Sequence, residues 1–416
     1  MTMASNTNSN HDTGRGTLIT IPHKLQSKIL ESVQLNRLTI IVGPTGCGKS
    51  TLVPSLLLEG LQGRICCTQP RRLAVVAIAK RVAQLHGVKL GGTKVGYHVG
   101  NQNRSLKGTS LLFTTAGILL EELRANGVEA LKRFKCLIID ECHERSPESD
   151  LVLALTREFM NAYPKAHIRL VLMSATFNHK RYAEYFKGVL GCEIIDTVTL
   201  ETAQSFTAWH QQVQTFYLDD MGSVLDDYEQ HADFLRLMRR DPDFDLHHDT
   251  KSLSQNLLNL IRSIVTSMDK KEDKHQPFLI FCPTYRHLEQ LYDTLSTING
   301  RITNLSVLHS AVDIEDCIRN MYEDNHTGRH KQQRHIFLAS AIADSSITVP
   351  GVAVVIDLCR SLEVRWNVEL RQHQPRTVWS SKSVCNQRQG RTGRTCPGKV
   401  IWLVYQNFFI SNLEPW

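Results

Sequence analysis

One segment limits the folds open to this chain more than any other. Gly43-Pro44-Thr45-Gly46-Cys47-Gly48-Lys49-Ser50-Thr51 follows the apolar run Leu38-Thr39-Ile40-Ile41-Val42 and precedes a helix predicted over Leu52 to Leu58. A buried strand, a glycine-rich loop and a helix in that order make a cradle for phosphate. With few side chains in the way, the loop wraps so that its N–H groups and the helix N-terminus face anionic oxygens. Lys49 then reaches the β- and γ-phosphates of a nucleotide, and the Ser50 hydroxyl is placed to coordinate Mg²⁺. The loop belongs at the carboxyl end of a parallel strand, where open α/β sheets bind their ligands.

The rest of the chain keeps that rhythm. Strand-like runs at Leu38–Val42, Ile65–Thr68, Leu111–Thr114, Cys136–Ile139, Leu170–Met173 and Glu193–Ile195 alternate with helical stretches such as Leu73–Leu85 and Ala116–Arg124. A second set follows at Phe278–Cys282, Asn304–Leu308, His335–Ala339, Val352–Ile356 and Lys399–Val404. Alternation of this kind predicts mostly parallel sheets with helices on both faces. The expected division is a polar tail over 1–16, a first domain over 17–199, a linker over 200–206 and a second domain over 207–410. An insertion rich in Asp, His and Lys is expected at about 219–276. Leu253 to Met268 has helical apolar spacing within it, and His247-His248-Asp249 reads as a solvated turn rather than a metal site. Val364 to Ser380 alternates about a polar centre, which predicts a long hairpin.

Two further clusters carry chemistry. Cys136-Leu137-Ile138-Ile139 ends in Asp140-Glu141-Cys142-His143, so two carboxylates stand at the end of a buried strand. Asp140 is suited to hold Mg²⁺, and Glu141 to bind the metal site and to orient or deprotonate an attacking water. His143 has no second histidine at ligand spacing and reads better as a polar coupling residue than as a metal ligand. Far downstream, Gln387-Arg388-Gln389-Gly390-Arg391-Thr392-Gly393-Arg394 sets three arginines about two glycines. Lysine, Mg²⁺, a water-orienting carboxylate and arginines are a sufficient set for phosphoryl transfer, which needs little beyond positioning and charge neutralisation.

These segments, in this order, resemble the DEAH/DExH-box RNA helicases of superfamily 2. The similarity runs from about Pro22 to Tyr405 through GPTGCGKST (43–51), TQPRR (68–72), TTAG (114–117), DECH (140–143), SAT (174–176), FLIFCPT (278–284), SSITVPG (345–351) and QRQGRTGR (387–394). Thr68 to Gln84 and the segment HERSPESDLVLA are similar to plant-type members that carry a CCCH zinc finger further downstream. The resemblance implies two tandem RecA-like domains with an ATP·Mg²⁺ cleft between them. Gly43, Thr45, Gly46, Cys47, Gly48, Lys49, Ser50 and Thr51 would bind the nucleotide, with Ser50, Asp140 and Glu141 around the metal. Glu141, Gln387, Arg391 and Arg394 would be catalytic, the arginines reaching across from the second domain. His143, Ser174 and Thr176 would couple the ATP site to nucleic acid. Arg71, Arg72, Thr115, Ser346 and Thr348 would touch the sugar-phosphate backbone. The hairpin sits where the family places a wedge near the strand junction, a resemblance of position only, and a surface hairpin without that role is the alternative.

It also implies an ATP-dependent RNA helicase core moving toward the 5′ end of single-stranded or structured RNA, a monomer with protein activators that the sequence does not name. Asp344 departs from the pattern, standing where the family usually has glutamate. The chain ends at Trp416, 22 residues after Arg394, which leaves no room for the winged-helix, ratchet and OB-fold modules expected next. An RNA-binding ATPase clamp or scaffold without strand separation is therefore the alternative, and a P-loop ATPase or kinase unrelated to nucleic acid the second. No adenine-reading glutamine motif stands at the N-terminus, so ATP and GTP are expected to serve alike.

Composition sets the remaining bounds. At 416 residues and 42% hydrophobic, the chain can bury two cores. No apolar run approaches the roughly 18 residues that span a bilayer, and the start is polar without a secretory signal. Eleven scattered cysteines without a C-x-x-C framework point to free thiols in a reducing compartment, nuclear or cytoplasmic. A net charge of +7 permits nucleic-acid binding without establishing it. Among basic clusters such as Lys132-Arg133-Lys135 and Arg239-Arg240, Arg71-Arg72 stands out because it follows a strand at its carboxyl end.

Overall fold

The computed structural model describes residues 22–43, 47–174, 182, 184–189, 196–199, 213–243, 252–273, 275–298, 301–302, 304–322, 334–343, 349–394 and 396–414. Among these, β1 (Leu38–Val42), β2 (Ile65–Gln69), β3 (Val95–Val99), β4 (Gln102–Arg104), β5 (Leu111–Thr115), β6 (Cys136–Ile139), β7 (Arg169–Ser174) and β8 (Asp196–Thr199) form one sheet in the order β4-β3-β5-β2-β6-β7-β1-β8. Every pairing in it is parallel except β3 with β4 at the edge. Its central strands are buried along their length, which is why they read as continuous apolar runs rather than alternating ones. Around it lie α1 (His23–Leu35), α2 (Lys49–Gly60), α3 (Arg72–Leu85), α4 (Ala116–Asn126) and α5 (Pro147–Ala162). α5 starts where Ser146 accepts the Ser149 N–H at 3.1 Å, with Pro147 in its first turn.

The second sheet is built from β9 (Gln214–Phe216), β10 (Phe278–Phe281), β13 (Asn304–Leu308), β14 (His335–Ala339), β15 (Val354–Asp357) and β18 (Lys399–Trp402), in the order β13-β14-β10-β15-β18-β9, all parallel. A short ribbon joins β11 (Thr297–Ile298) to β12 (Arg301–Ile302). The helices of this half are α6 (Met221–Val224), α7 (Ala232–Arg240), α8 (Gln255–Lys271), α9 (Tyr285–Leu295), α10 (Ile314–Tyr322), α11 (Lys382–Gln389) and α12 (Gln406–Asn412). α8 realises the helical spacing at Leu253 to Met268, whereas His247-His248-Asp249 lies outside the described residues. β16 (Arg360–Asn367) and β17 (Gln372–Trp379) form the long hairpin, with Trp366 opposite His373. The polar centre of the sequence pattern lies mostly on β17, and the turn is made by the residues before it, with Arg371 at φ 45°.

Among the strands, β3, β4, β9, β11 and β12 were not anticipated, and the first sheet's last strand is β8 at Asp196–Thr199; Glu193–Ile195 lies outside the described residues. The halves meet: α3 packs against α10, Arg104 and Glu315 pair at 2.6 Å, and one apolar cluster runs from Ile41, Val75 and Phe113 to Phe281 and Phe337.

Candidate functional site

The loop after β1 turns into α2 at Gly48, whose φ of 89° lies in the left-handed region. An L side chain is strained in that conformation, which glycine adopts readily, and the turn it makes leads directly into the N-terminus of α2. Lys49 begins the helix, 4% exposed, and its Nζ donates to the Gly43 carbonyl at 2.5 Å and lies 4.0 Å from the Cys47 sulfur. Burial holds the Cys47 thiol above its usual range, so this residue has its backbone to offer rather than a thiolate. Ser50 and Thr51 occupy the first turn of α2. Pro44, Thr45 and Gly46 lie outside the described residues.

Opposite stand the carboxylates. Asp140 leaves β6 with its Oδ2 accepting from the Gln69 side-chain amide at 2.6 Å and its Oδ1 from the Glu141 N–H at 2.8 Å. Glu141 has φ 49° and ψ 37°, a conformation that costs a non-glycine residue about 1 kcal/mol or more and persists where the surroundings enforce it. Its carboxyl is pushed up to about 8, first by burial and then by the Asp140 charge, with Lys49 and Arg391 pulling the other way. The Arg391 contribution matters for assembly, because it brings the second half's charge to bear on the first half's carboxylate. Gln69 went unnamed in the sequence reading. The signal was its place at the end of β2, beside β6 in the sheet.

His143 joins three motifs. Its Nδ1 lies 3.2 Å from the Ser174 hydroxyl and 3.5 Å from Glu141, and its Nε2 lies 3.4 Å from the Gln387 side-chain amide. Burial lowers its pKa, so the ring is neutral near pH 7. With the proton on Nδ1 it donates to the first-half partners and accepts from Gln387 across the cleft. Ser174 in turn gives its carbonyl to the Gly43 N–H at 3.2 Å, tying this relay to the phosphate loop. Thr176 lies outside the described residues.

The arginines divide by role. Ser381 caps α11 by accepting the Val384 N–H at 3.3 Å, and the helix then presents Gln387 toward the cleft. Arg388 points inward, 1% exposed, donating to Asp357 at 2.8 Å with its guanidinium 5.2 Å from the centre of the Phe281 ring. Arg391 and Arg394 lie in the turn beyond, their Nε atoms donating to the Gln387 and Gly390 carbonyls at 3.4 and 2.7 Å.

Of the residues expected to touch nucleic acid, Arg71, Arg72 and Thr115 fall at the carboxyl ends of the neighbouring strands β2 and β5, where Gln69 pairs with Thr115. Arg71 reaches Glu144 at 3.6 Å. Arg72 is exposed and its guanidinium lies over Gly100, where φ of 47° favours glycine and an added Cβ would stand 3.3 Å from the guanidinium carbon. Thr115 makes no side-chain capping bond to α4. Ser346 and Thr348 lie outside the described residues, as does Asp344.

The donor set fits a nucleotide with a divalent cation. Burial and the Asp140 charge hold a proton on Glu141, the Gln69 Oε1 is buried without a hydrogen-bond donor among the described residues, and Lys49 at the N-terminus of α2 lies close enough to oppose that shift.

Residues 23–185 match the family model for the DEAD/DEAH box helicase, and residues 255–396 that for the helicase conserved C-terminal domain. The chain is 38% identical over 386 residues to the DExH-box ATP-dependent RNA helicase DExH8 of Arabidopsis thaliana, covering 92% of this chain and 36% of that protein. It is 39% identical over 392 residues to the zinc finger CCCH domain-containing protein 4 of Oryza sativa subsp. japonica, covering 93% and 37%. It thus spans about a third of the length of these relatives. The DEAH/RHA helicase HrpB of Escherichia coli superposes with a TM-score of 0.73 at 24% identity, over 95% of this chain and 44% of that one, a likeness of fold.

Proposed function

Because the chain belongs to the DEAD/DEAH box helicases, we propose that it is the ATP-hydrolysing, RNA-gripping core of an RNA helicase. The observation that carries this reading is the His143 relay, which links the carboxylates of one half to Gln387 of the other. A nucleotide-hydrolysing site wired across a cleft is what converts phosphate chemistry into relative motion of two halves.

Each residue has a part in that chemistry. Gly43, Gly48 and the N-terminus of α2 receive the phosphates, with Thr45, Gly46 and Cys47 completing the loop, and Lys49 neutralises the transferred group. Ser50, Asp140 and Glu141 would hold Mg²⁺, which would supply positive charge against the phosphates and favour ionised carboxylates around it. Glu141 and Gln387 position the attacking water, Glu141 taking its proton. Arg391 and Arg394 meet charge that develops in the transition state, so they act through turnover more than through binding. Arg71, Arg72, Thr115, Ser346 and Thr348 hold the strand by its backbone, with His143, Ser174 and Thr176 between them and the ATP site. We place the boundary between the domains at 200–206 and the insertion at about 219–276.

The reaction is expected inside the cell, where ten buried free cysteines among the described residues would stay reduced. No described helix is long and apolar enough to cross a membrane. The deciding experiment is steady-state ATP hydrolysis with and without single-stranded RNA, with single-stranded DNA and Lys49→Ala as controls. Severalfold stimulation by RNA, lost in Lys49→Ala, is the expected result, and hydrolysis indifferent to RNA defeats the reading. A duplex-unwinding assay then separates a helicase from an ATPase clamp.

A further inference from the structure

We propose that the first half carries a second nucleic-acid site, a basic cavity on the far side of its sheet that takes one or two nucleotides of a single strand. The cavity, about 650 Å³, opens where β2, β6 and β7 begin, between residues 62–64, 132–135 and 162–168. The ATP site lies where the same strands end. Five residues of extended chain from Lys135 to Asp140 set the two about 16 Å apart, so this is not an arm of the cleft.

The cavity is amphiphilic. Phe134, 3% exposed, and Ile168, 2% exposed, give it an apolar floor. Six basic side chains line it: Arg64, Lys132, Arg133, Lys135, Lys165 and His167. Lys132 is matched by Glu129 at 3.2 Å and Arg133 by Glu122. Arg64, Lys135, Lys165 and His167 have no carboxylate partner among the described residues. Arg64 and Arg133 set their guanidinium carbons 5.4 and 4.5 Å from the centre of the Phe134 ring, and Lys132 sets its ammonium 4.0 Å from that of Tyr163. Gly63, at φ 123°, keeps the wall open: a Cβ there would stand 2.8 Å from that of Lys135.

Nucleotides combine the two features this cavity offers partners for. Flat bases stack on guanidinium planes such as those of Arg64 and Arg133, which the Phe134 ring holds in place, and phosphates pair with lysine and arginine. The volume falls in the range of ligand-binding clefts, roughly 300–1,000 Å³. An acidic peptide would use the rim and leave the floor unfilled. The choice of ligand rests on the function proposed above, whereas the cavity's position is independent of it.

The test is photocrosslinking of the full chain to a thiouridine-bearing single-stranded RNA, followed by peptide mapping, in wild type, Lys165→Glu and Lys135→Glu with Lys165→Glu. Crosslinks are expected in the peptides of Phe134 and Tyr163. They should fall about fivefold or more in the double variant and less in the single one, through lost phosphate pairing. Crosslinks beside Thr115 and RNA-free ATP hydrolysis should hold in both variants. If UMP clears the cavity signal, a free nucleotide suffices as ligand; if the signal survives UMP, the site reads a strand, and either outcome supports it. Crosslinks beside Thr115 alone overturn the second site and leave the proposed function standing, while crosslinks at neither place defeat both. An acidic peptide that binds wild type but not the double variant, with no RNA crosslinked at the cavity, reassigns the site to protein and overturns the proposal.

Discussion

Two aspartates occupy equivalent places in the two halves, and their surroundings differ in an instructive way. Asp140 follows β6 and Asp357 ends β15, each at the carboxyl end of a buried parallel strand, 2% and 0% exposed. Asp357 takes the Arg388 guanidinium and the Cys359 N–H, both at 2.8 Å. Asp140 takes an uncharged amide from Gln69 and its neighbour's N–H, with a second carboxylate beside it. One charge is neutralised by its own domain and anchors α11. In the function proposed above, the other awaits a cation that arrives with the substrate. A buried carboxylate with its partner supplied is architecture, and one with its partner withheld is a site.

The strongest way to break that comparison is Glu141→Gln. Hydrolysis should fall about 1,000-fold, on the order of 4 kcal/mol of transition-state stabilisation, while the nucleotide-free protein becomes more stable. The sign follows from the raised pKa of Glu141. Between its ordinary range and about 8, the folded state holds a proton that the unfolded state has released, so wild-type stability declines as pH rises through that window and levels off above it. The advantage of Glu141→Gln should therefore grow from about pH 5 to about pH 8, reaching at most a few kcal/mol, in denaturant titrations across pH. A variant advantage that stays constant with pH would contradict this assignment.

Arg388→Ala should do the opposite, costing about 3–5 kcal/mol because it strands a buried carboxylate. Arg388→Met combined with Asp357→Leu should recover most of that loss, as read from urea midpoints. A failure to recover would show that the pair does more than neutralise itself. Next in size, His143→Ala should reduce RNA-stimulated turnover about tenfold, since the relay is a cooperative network, with RNA-free turnover within about threefold. Equal losses in both would make His143 part of the chemistry rather than the coupling. The smallest effect belongs to Arg104→Ala, whose partner Glu315 is exposed; less than about 1 kcal/mol is expected, and thermal melts would check it.

The parts legible in the sequence were those where chemistry or burial dictates residue type. Largely apolar runs marked β1, β6 and β14 to their ends, because strands covered on both faces admit few other residues. The strand-to-helix turn into α2 and the buried Asp140-Glu141 pair after β6 were legible because glycine-rich and paired-carboxylate segments of that kind have few other uses. β3 was hidden, since Gly96 and His98 within it and Gly100 after it dilute its apolar signal. β4 and β9 are three-residue strands and carry no periodicity. Arg388 stood inside a recognised motif, yet its inward turn toward Asp357 depended on a contact 31 positions away. Gln69 gained its role from sheet order, which local sequence does not encode.

The central claim is that the second half completes the first half's catalytic site, and Arg391→Ala tests it most directly. Turnover with saturating RNA and the Kd of a non-hydrolysable ATP analogue should be measured on the same preparation. A fall in turnover of about 100-fold, comparable to removing one transition-state donor, with the Kd within about threefold, is the predicted result. Turnover that survives, or a Kd that weakens in step with it, would contradict a transition-state role for the second half.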